Sequence, residues 1–346
     1  MARKFPNLSI EIVAVLCSVC RHVLFYARVV FMDPQLIVFG GTHGNELTGS
    51  FLVNHFLQGK GLVAAATFAT QFLIANPRAV HACRRYIDHD LNRCFLPDDL
   101  QADLQHPLRS GYEFERAREI VALLGGEHKI QRAFLIDLHT TTANMGSTII
   151  LTSLSSVNLW VAAYLVREID GLRVITNELP REKSPFINSL SPYGFCIEVG
   201  PVAQGALDPK VLAATVRILQ TVARALDCLV AAGFDLDRAS ATSGLDGFPS
   251  EVVAYCYERI LDYPRNSQGD LLACVHPERY GRDFIPVEKG SPLFIDLDEK
   301  EYFQEFDGIF WPIFIGESAY MEKETAMVLT KRIVRSWKGK THAESV

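Results

Sequence analysis

"GGTHGNELTG" (residues 40–49) sets a histidine and a glutamate, His43 and Glu46, three positions apart directly after an apolar run. Three chemistries suit such a stretch. Glycines after a strand can cradle phosphate, but neither a Walker pattern nor G-x-G-x-x-G is present, and no lysine follows the last glycine. A tight turn into a helix would explain the glycines and place Glu46 in a first turn, where the helix dipole favours it. A zinc half-site would use His43 and Glu46 as two ligands. It would then need a third, because catalytic zinc takes three His or carboxylate ligands and leaves one position for water. "FLIDLHTTTANMG" supplies His139 just after another apolar run, and Asp137 two residues earlier suits ligand support or a purely structural role. Hydrolysis at a metal also needs a base. "FCIEVGP" puts Glu198 inside an apolar strand, where a carboxylate is costly without a metal, a partner or a raised pKa; an edge strand facing solvent is the other reading. "ANPRAVHACRRYIDHDLNRCF" adds Arg85, Asn92 and Arg93 in a loop punctuated by Pro and Asp. Arginine there suits a two-point grip on a carboxylate or stabilisation of an oxyanion.

Such residues act together only if the chain places them at one edge of a scaffold. Residues 36–39, 67–75, 134–138, 147–151, 173–176 and 195–199 read as strands by length and apolar content. Residues 46–58, 112–124, 158–168 and 209–232 read as helices between them. This alternation predicts an α/β domain with a largely parallel or mixed sheet flanked by helices, whose active residues gather at the carboxyl ends of strands. Residues 233–250 ("GFDLDRASATSGLDGFPS") lose periodicity and gain Gly, Ser, Asp and Pro, so they read as a linker. Strand-like segments at 252–260, 271–275, 292–297 and 312–315 then predict a smaller β-rich C-terminal domain over 251–346.

The totals fit a globular enzyme of one or two cores. The 346 residues are 49% hydrophobic and 21% charged, with net charge −6. That balance argues against a nucleic-acid partner. The eight cysteines follow no framework spacing and read as reduced thiols in a cytoplasmic protein. Cys17 and Cys20 form a lone C-x-x-C with no second pair. Residues 1–31 are apolar, yet Glu11, Arg21, His22 and Arg28 interrupt them, whereas a spanning helix needs about 20 mostly apolar residues. They are expected to be an extension read from an upstream start, with the compact domain beginning at Met32 and running to 232.

Taken in order, "GGTHGNELTG", "ANPRAV" with "RYIDHDLNR", "DLHTTTANMG", "IEVGPVAQG", "DYPRN" and "ESAYMEK" closely resemble the aspartoacylase family of zinc carboxypeptidase-like amidohydrolases. The resemblance spans roughly residues 32–335 and is nearest to bacterial, cyanobacterial-type members. It implies a zinc-carboxypeptidase-like mixed sheet, a C-terminal domain that narrows the entrance, one Zn2+ per subunit and a homo-oligomer. It implies hydrolysis of N-acetyl-L-aspartate or a related N-acyl amino acid. By matching positions, His43, Glu46 and His139 correspond to zinc ligands, Glu198 to the carboxylate that shuttles the proton, and Arg85 to the group that polarises the acyl carbonyl. Asn92 and Arg93 correspond to the pair holding the substrate carboxylate, and Tyr320 to a tyrosine placed in the pocket by the C-terminal domain. One position departs. Mammalian aspartoacylase has an arginine ten residues before the catalytic glutamate; here that position is Asn188, so a preference for an acidic side chain rests on Arg181, Lys183 or Lys323 standing in. The alternatives are an aminoacylase for neutral or aromatic N-acetyl amino acids, a succinyl-amino-acid hydrolase, and, from another class, a non-catalytic zinc- or ligand-binding protein.

Overall fold

The computed structural model describes residues 35–59, 67–101, 110–245 and 247–339, with the backbone of 13–16 and 23–26. The latter two stretches pair antiparallel as β1 (Val13–Leu16) and β2 (Val23–Tyr26). The rest of the expected extension, Cys17 and Cys20 included, lies outside the described residues. Among the described residues no helix is long and apolar enough to cross a membrane.

The first half alternates as expected: β3 (Gln35–Gly40), α1 (Leu47–Leu57), β4 (Ala69–Ile74), α2 (Pro77–Ala82), α3 (Pro97–Leu100), α4 (Tyr112–Leu123), α5 (Glu127–Ile130), β5 (Phe134–Thr140), β6 (Gly146–Leu151), α6 (Ser156–Glu168), β7 (Arg173–Thr176), β8 (Gly194–Gly200) and α7 (Pro209–Ala231). Successive side chains of β3 show why it reads as an unbroken apolar run. Leu36 and Val38 enter a core with Trp160 of α6 and Leu226 of α7, while Ile37 and Phe39 enter a second core with Ala117 and Ile120 of α4. Both faces are covered, so alternation of apolar and polar residues is absent. Each such burial stabilises by about 1.5–3 kcal/mol, which is what fixes the strand's register.

The smaller second half is β-rich, as expected, and shares a sheet with the first. It comprises α8 (Leu236–Thr242), β9 (Glu251–Leu261), β10 (Cys274–Val275), β11 (Pro292–Ile295), β12 (Glu301–Phe303), β13 (Trp311–Ile313) and β14 (Met327–Ser336). One nine-stranded mixed sheet runs in the order β13-β14-β9-β7-β6-β8-β5-β3-β4, and of the second half's strands β10, β11 and β12 form a separate sheet. The join is the parallel pairing of β7 with β9, Ile175 opposite Tyr255 and Thr176 opposite Cys256. The stretch expected as a linker is also ordered in part. Asp235 caps α8 by accepting from Arg238 N at 3.0 Å, and Phe248 stacks on Trp160 at 4.9 Å. β14 escaped the sequence reading because Lys331, Arg332 and Arg335 interrupt it. The structure lays Arg332 over the Trp311 ring (5.4 Å) and Lys331 over Phe310 (5.6 Å), so the charges ride on aromatic faces while the backbone pairs with β9.

The carboxyl ends of three parallel strands meet at one edge. Gly40 pairs with Leu138, Leu138 with Ile197, and His139 with Glu198. The loop after β3 is tight: Gly41 has φ +68°, and a Cβ on Gly44 would sit 2.0 Å from the Ala79 carbonyl carbon.

Candidate metal centre and its cavity

His43, Glu46 and His139 converge at that edge, all buried, with their ligand atoms within 4.8 Å of one another. His43 Nδ1 lies 2.6 Å from Glu46 Oε1, His139 Nδ1 lies 2.9 Å from Glu46 Oε2, and the two Nδ1 atoms are 3.1 Å apart. Ligands about 2.0–2.1 Å from a tetrahedral zinc are separated by about 3.3 Å, so the cluster needs little adjustment to hold such an ion. Each far ring nitrogen is fixed by a carboxylate: His43 Nε2 by Asp90 at 2.9 Å and His139 Nε2 by Asp137 at 2.5 Å. With Nε2–H donating outward, both Nδ1 lone pairs can face the cluster, the arrangement in which metal-binding imidazoles are held. Asp137 is itself held by Thr42 Oγ1 at 2.6 Å, and Glu46 Oε2 accepts from Thr140 N at 3.0 Å.

Charge in this cluster is strongly biased toward a cation. Burial alone would push the Glu46 carboxyl up, yet His43 and His139 outweigh it and hold the group well below its ordinary range. Burial would likewise lower His139, but Asp137 and Glu46 outweigh it and hold the imidazole well above its ordinary value. Two imidazoles and one carboxylate, with Asp90 and Asp137 behind the imidazoles, form a donor set that suits a divalent ion.

The cluster opens into a cavity of about 320 Å3 lined by residues from both halves of the chain. Glu198 lines it, 8% exposed, and its carboxylate has no hydrogen bond among the described residues. Burial raises its pKa well above the ordinary value, His139 opposes this, and Glu46 and Glu317 add to it. Arg85 bridges Glu46 Oε1 and Asp90 Oδ2, each at 3.2 Å, and its buried Nε has no partner. Arg93 lies over the Phe186 ring (5.0 Å) and donates one hydrogen bond to Asn92 O; its other guanidinium nitrogens have none among the described residues. Asn92 lines the cavity as well. Its Oδ1 accepts from Ile187 N at 2.9 Å and its Nδ2 lies beside Asp137 and His139, so its amide also supports the candidate metal cluster. Tyr320 lines the cavity with its hydroxyl pKa raised by burial, and packs on Phe314. Asn188 also lines it, donating to Thr152 Oγ1 at 3.1 Å. Of the three cations considered as stand-ins near Asn188, only Lys323 lines this cavity, and its Nζ is already 3.0 Å from Asp90.

Residues 32–226 match the succinylglutamate desuccinylase/aspartoacylase catalytic domain, and residues 250–332 match the AstE/AspA barrel-sandwich hybrid domain. The chain belongs to the succinylglutamate desuccinylase/aspartoacylase family. It is 38% identical over 298 residues to the "Probable aspartoacylase" of Trichodesmium erythraeum, covering 86% of this chain and 97% of that one. It is 34% identical over 306 residues to the human "N-acyl-aromatic-L-amino acid amidohydrolase (carboxylate-forming)", covering 86% of this chain and 90% of that one. Murine aminoacylase 3 superposes with a TM-score of 0.76 at 33% identity, over 90% of this chain and 99% of the other. Both halves of the family's architecture are therefore present, and the cavity lies where they meet.

Three carboxylates that position this family site were not singled out in the sequence. Asp90 gathers His43, Arg85 and Lys323 onto one side chain. Glu113, fully buried on α4, accepts from Ile87 N, Asp88 N, His89 N and Asn76 Nδ2, and so shapes the loop that carries Arg85 and Asp90. Glu317, of the C-terminal half, accepts from Thr141 Oγ1, Thr142 N (2.7 Å) and Ala143 N (3.3 Å) and ties the loop after β5 to the opposite wall. Glu113 stands in the first turn of an amphipathic helix, which is where a solvated acid would also be found. Only the unusual density of Asp in "RYIDHDLNR" hints at Asp90.

Proposed function

We propose that the chain hydrolyses the amide bond of N-acyl-L-amino acids, giving the acyl carboxylate and the free amino acid, with zinc held by His43, Glu46 and His139. One observation carries the reading: two Nδ1 atoms and a carboxylate converge beneath a cavity into which Glu198, the register partner of His139, also projects. The names of the relatives above, an aspartoacylase and an N-acyl-aromatic-L-amino acid amidohydrolase, support the same class of substrate.

A zinc ion there would supply Lewis-acid polarisation of water and of the acyl carbonyl. Glu198 takes the proton released as water adds to the acyl carbon, then returns it to the nitrogen as the C–N bond breaks; burial, which raises its pKa, suits it to both transfers. Arg85, which lines the cavity, stabilises the developing oxyanion. Arg93 grips the substrate's α-carboxylate. Asn92 contributes by holding His139 and Asp137 in place, and Tyr320 closes the cavity from the C-terminal side.

A specific observation favours a neutral or aromatic side chain over an aspartyl one. Three cations line the cavity, but Arg85 and Lys323 are both tied to Asp90, leaving Arg93 for one substrate carboxylate rather than two. Ile150, Tyr257 and Val328 add apolar lining, and Asn188 carries no charge. The deciding experiment is a kinetic panel of N-acetyl-L-aspartate, N-acetyl-L-phenylalanine, N-acetyl-L-leucine and N-succinyl-L-glutamate on the purified chain, with bound zinc measured alongside. Neutral substrates should show the higher kcat/KM. A zinc-loaded protein that turns over none of the four would overturn the amidohydrolase reading.

A further inference from the structure

Behind the catalytic cavity lies a second one, of about 480 Å3. The two share Thr152, whose Oγ1 accepts the hydrogen bond from Asn188, so that pair forms the partition between them. Arg181 and Ser184 line the second cavity only. Arg181 Nη1 donates to Phe95 O at 2.8 Å and to Ser184 O at 3.3 Å, which anchors the side chain. Among the described residues its buried Nη2 has no partner and Arg181 makes no ion pair; Glu127 and Glu182 act on it from longer range. Ser184 is 1% exposed, and its Oγ is likewise without a partner.

Two buried donors on residues that line one cavity, with no acceptor for either among the described residues, are unfavourable as they stand. Loop strain does not account for both, since Arg181 is already held by its other nitrogen. The lining also defines what acceptor would suit. Arg132 and Arg181 against Glu178 leave one positive charge in excess, while Leu179, Leu190 and Tyr193 give the cavity apolar walls. We propose that this cavity binds a small monocarboxylate with an apolar body, its oxygens taken by Arg181 Nη2 and Ser184 Oγ. An inorganic phosphate dianion fits less well, because Glu178 opposes its second charge. The site is separate from the catalytic residues, and the inference stands whether or not the chain is an amidohydrolase.

The test is calorimetric titration of the full chain with butyrate and, separately, with inorganic phosphate, comparing the unaltered protein with Ser184→Ala and Arg181→Lys. Neither residue lines the catalytic cavity, so a difference among the three isolates the second site from any grip by Arg93. Ser184→Ala removes a hydroxyl with no partner among the described residues and should melt no lower than the unaltered protein. Butyrate should bind at least about tenfold more weakly to Ser184→Ala, and more weakly again to Arg181→Lys, which keeps the charge but loses the guanidinium. Hydrolytic kcat and KM should be unchanged in Ser184→Ala. Superimposable butyrate isotherms for all three proteins would overturn the proposal, as would phosphate binding more tightly than butyrate with the same dependence on Ser184. Binding is read without turnover, so an inactive chain leaves this result interpretable.

Discussion

His139 and Glu198 are register partners on adjacent parallel strands, β5 and β8, and both face the cavity. The imidazole of the candidate metal cluster and the carboxylate beside it are thus placed by sheet hydrogen bonding rather than by a loop, and their spacing is as rigid as the core beneath them.

Glu198→Gln keeps the side chain's volume and removes its ability to accept a proton. Because Glu198 belongs to no metal-ligand contact within the cluster, bound zinc should stay at the level of the unaltered protein while kcat falls by about 10²–10⁴. Metal analysis and turnover on the same preparation check this. Near-normal turnover would remove Glu198 from the chemistry.

Asp137→Asn and Asp90→Asn should weaken zinc binding by about 10–100-fold without touching a ligand, because each releases the far nitrogen of one histidine. Competition against a zinc-chelating dye measures it. The Asp90 variant should also lose more activity than its metal deficit explains, since Arg85 and Lys323 lose their common anchor.

Asp283 gives a pH prediction whose sign is the reverse of the usual carboxylate. Burial raises its pKa to about 6, and the backbone N–H groups of Ile315 and Asn144 only partly oppose this. An unfolded aspartate titrates near about 3.9, so between about pH 4 and 6 the folded chain binds the extra proton. The contribution of Asp283 is therefore greatest below about pH 4 and is lost as pH rises through about 6, by an amount on the order of 1–3 kcal/mol. Asp283→Asn resembles the protonated form. The difference in urea-unfolding stability between variant and unaltered protein should shift in the variant's favour from pH 4 to 7; a difference flat with pH contradicts the assignment.

Glu113→Ala leaves three backbone N–H groups and the Asn76 amide without their acceptor in a fully buried place. A loss of about 2–5 kcal/mol in unfolding free energy is expected. Milder Glu113→Gln should retain part of the stability yet show reduced kcat/KM, because the loop bearing Arg85 and Asp90 relaxes. Denaturant titration and kinetics on both variants distinguish the two effects.

The half of the candidate site made of the proposed ligands and base was legible as a cluster in the sequence because each residue follows or sits in an apolar strand whose length and composition are unambiguous: His43 after β3, His139 at the end of β5, Glu198 within β8. The residues that hold them were less so. Glu113 carries no local mark, since what makes it an anchor is the arrival of a loop more than twenty residues earlier in the chain. Asn92 matched a substrate-binding position and lines the cavity, but nothing local to it told of its further contacts with His139 and Ile187. The same limit applies to the fold. The pattern of β9 showed a strand but not its partner, and nothing local to residues 251–261 says that it will extend a sheet begun at β3 rather than start another.

The pairing of β9 with β7 makes the protein a poor source of spare parts. A fragment ending before β9 would contain every candidate ligand and Glu198, yet it would present the β7 edge bare, with backbone N–H and C=O groups ready to capture another chain. Such a fragment should precipitate rather than work slowly, and grafting a foreign C-terminal unit would have to reproduce a strand register as well as a cavity wall. Changes of specificity in this architecture are therefore easier to obtain by altering single side chains around Asn188 and Lys323 than by exchanging halves.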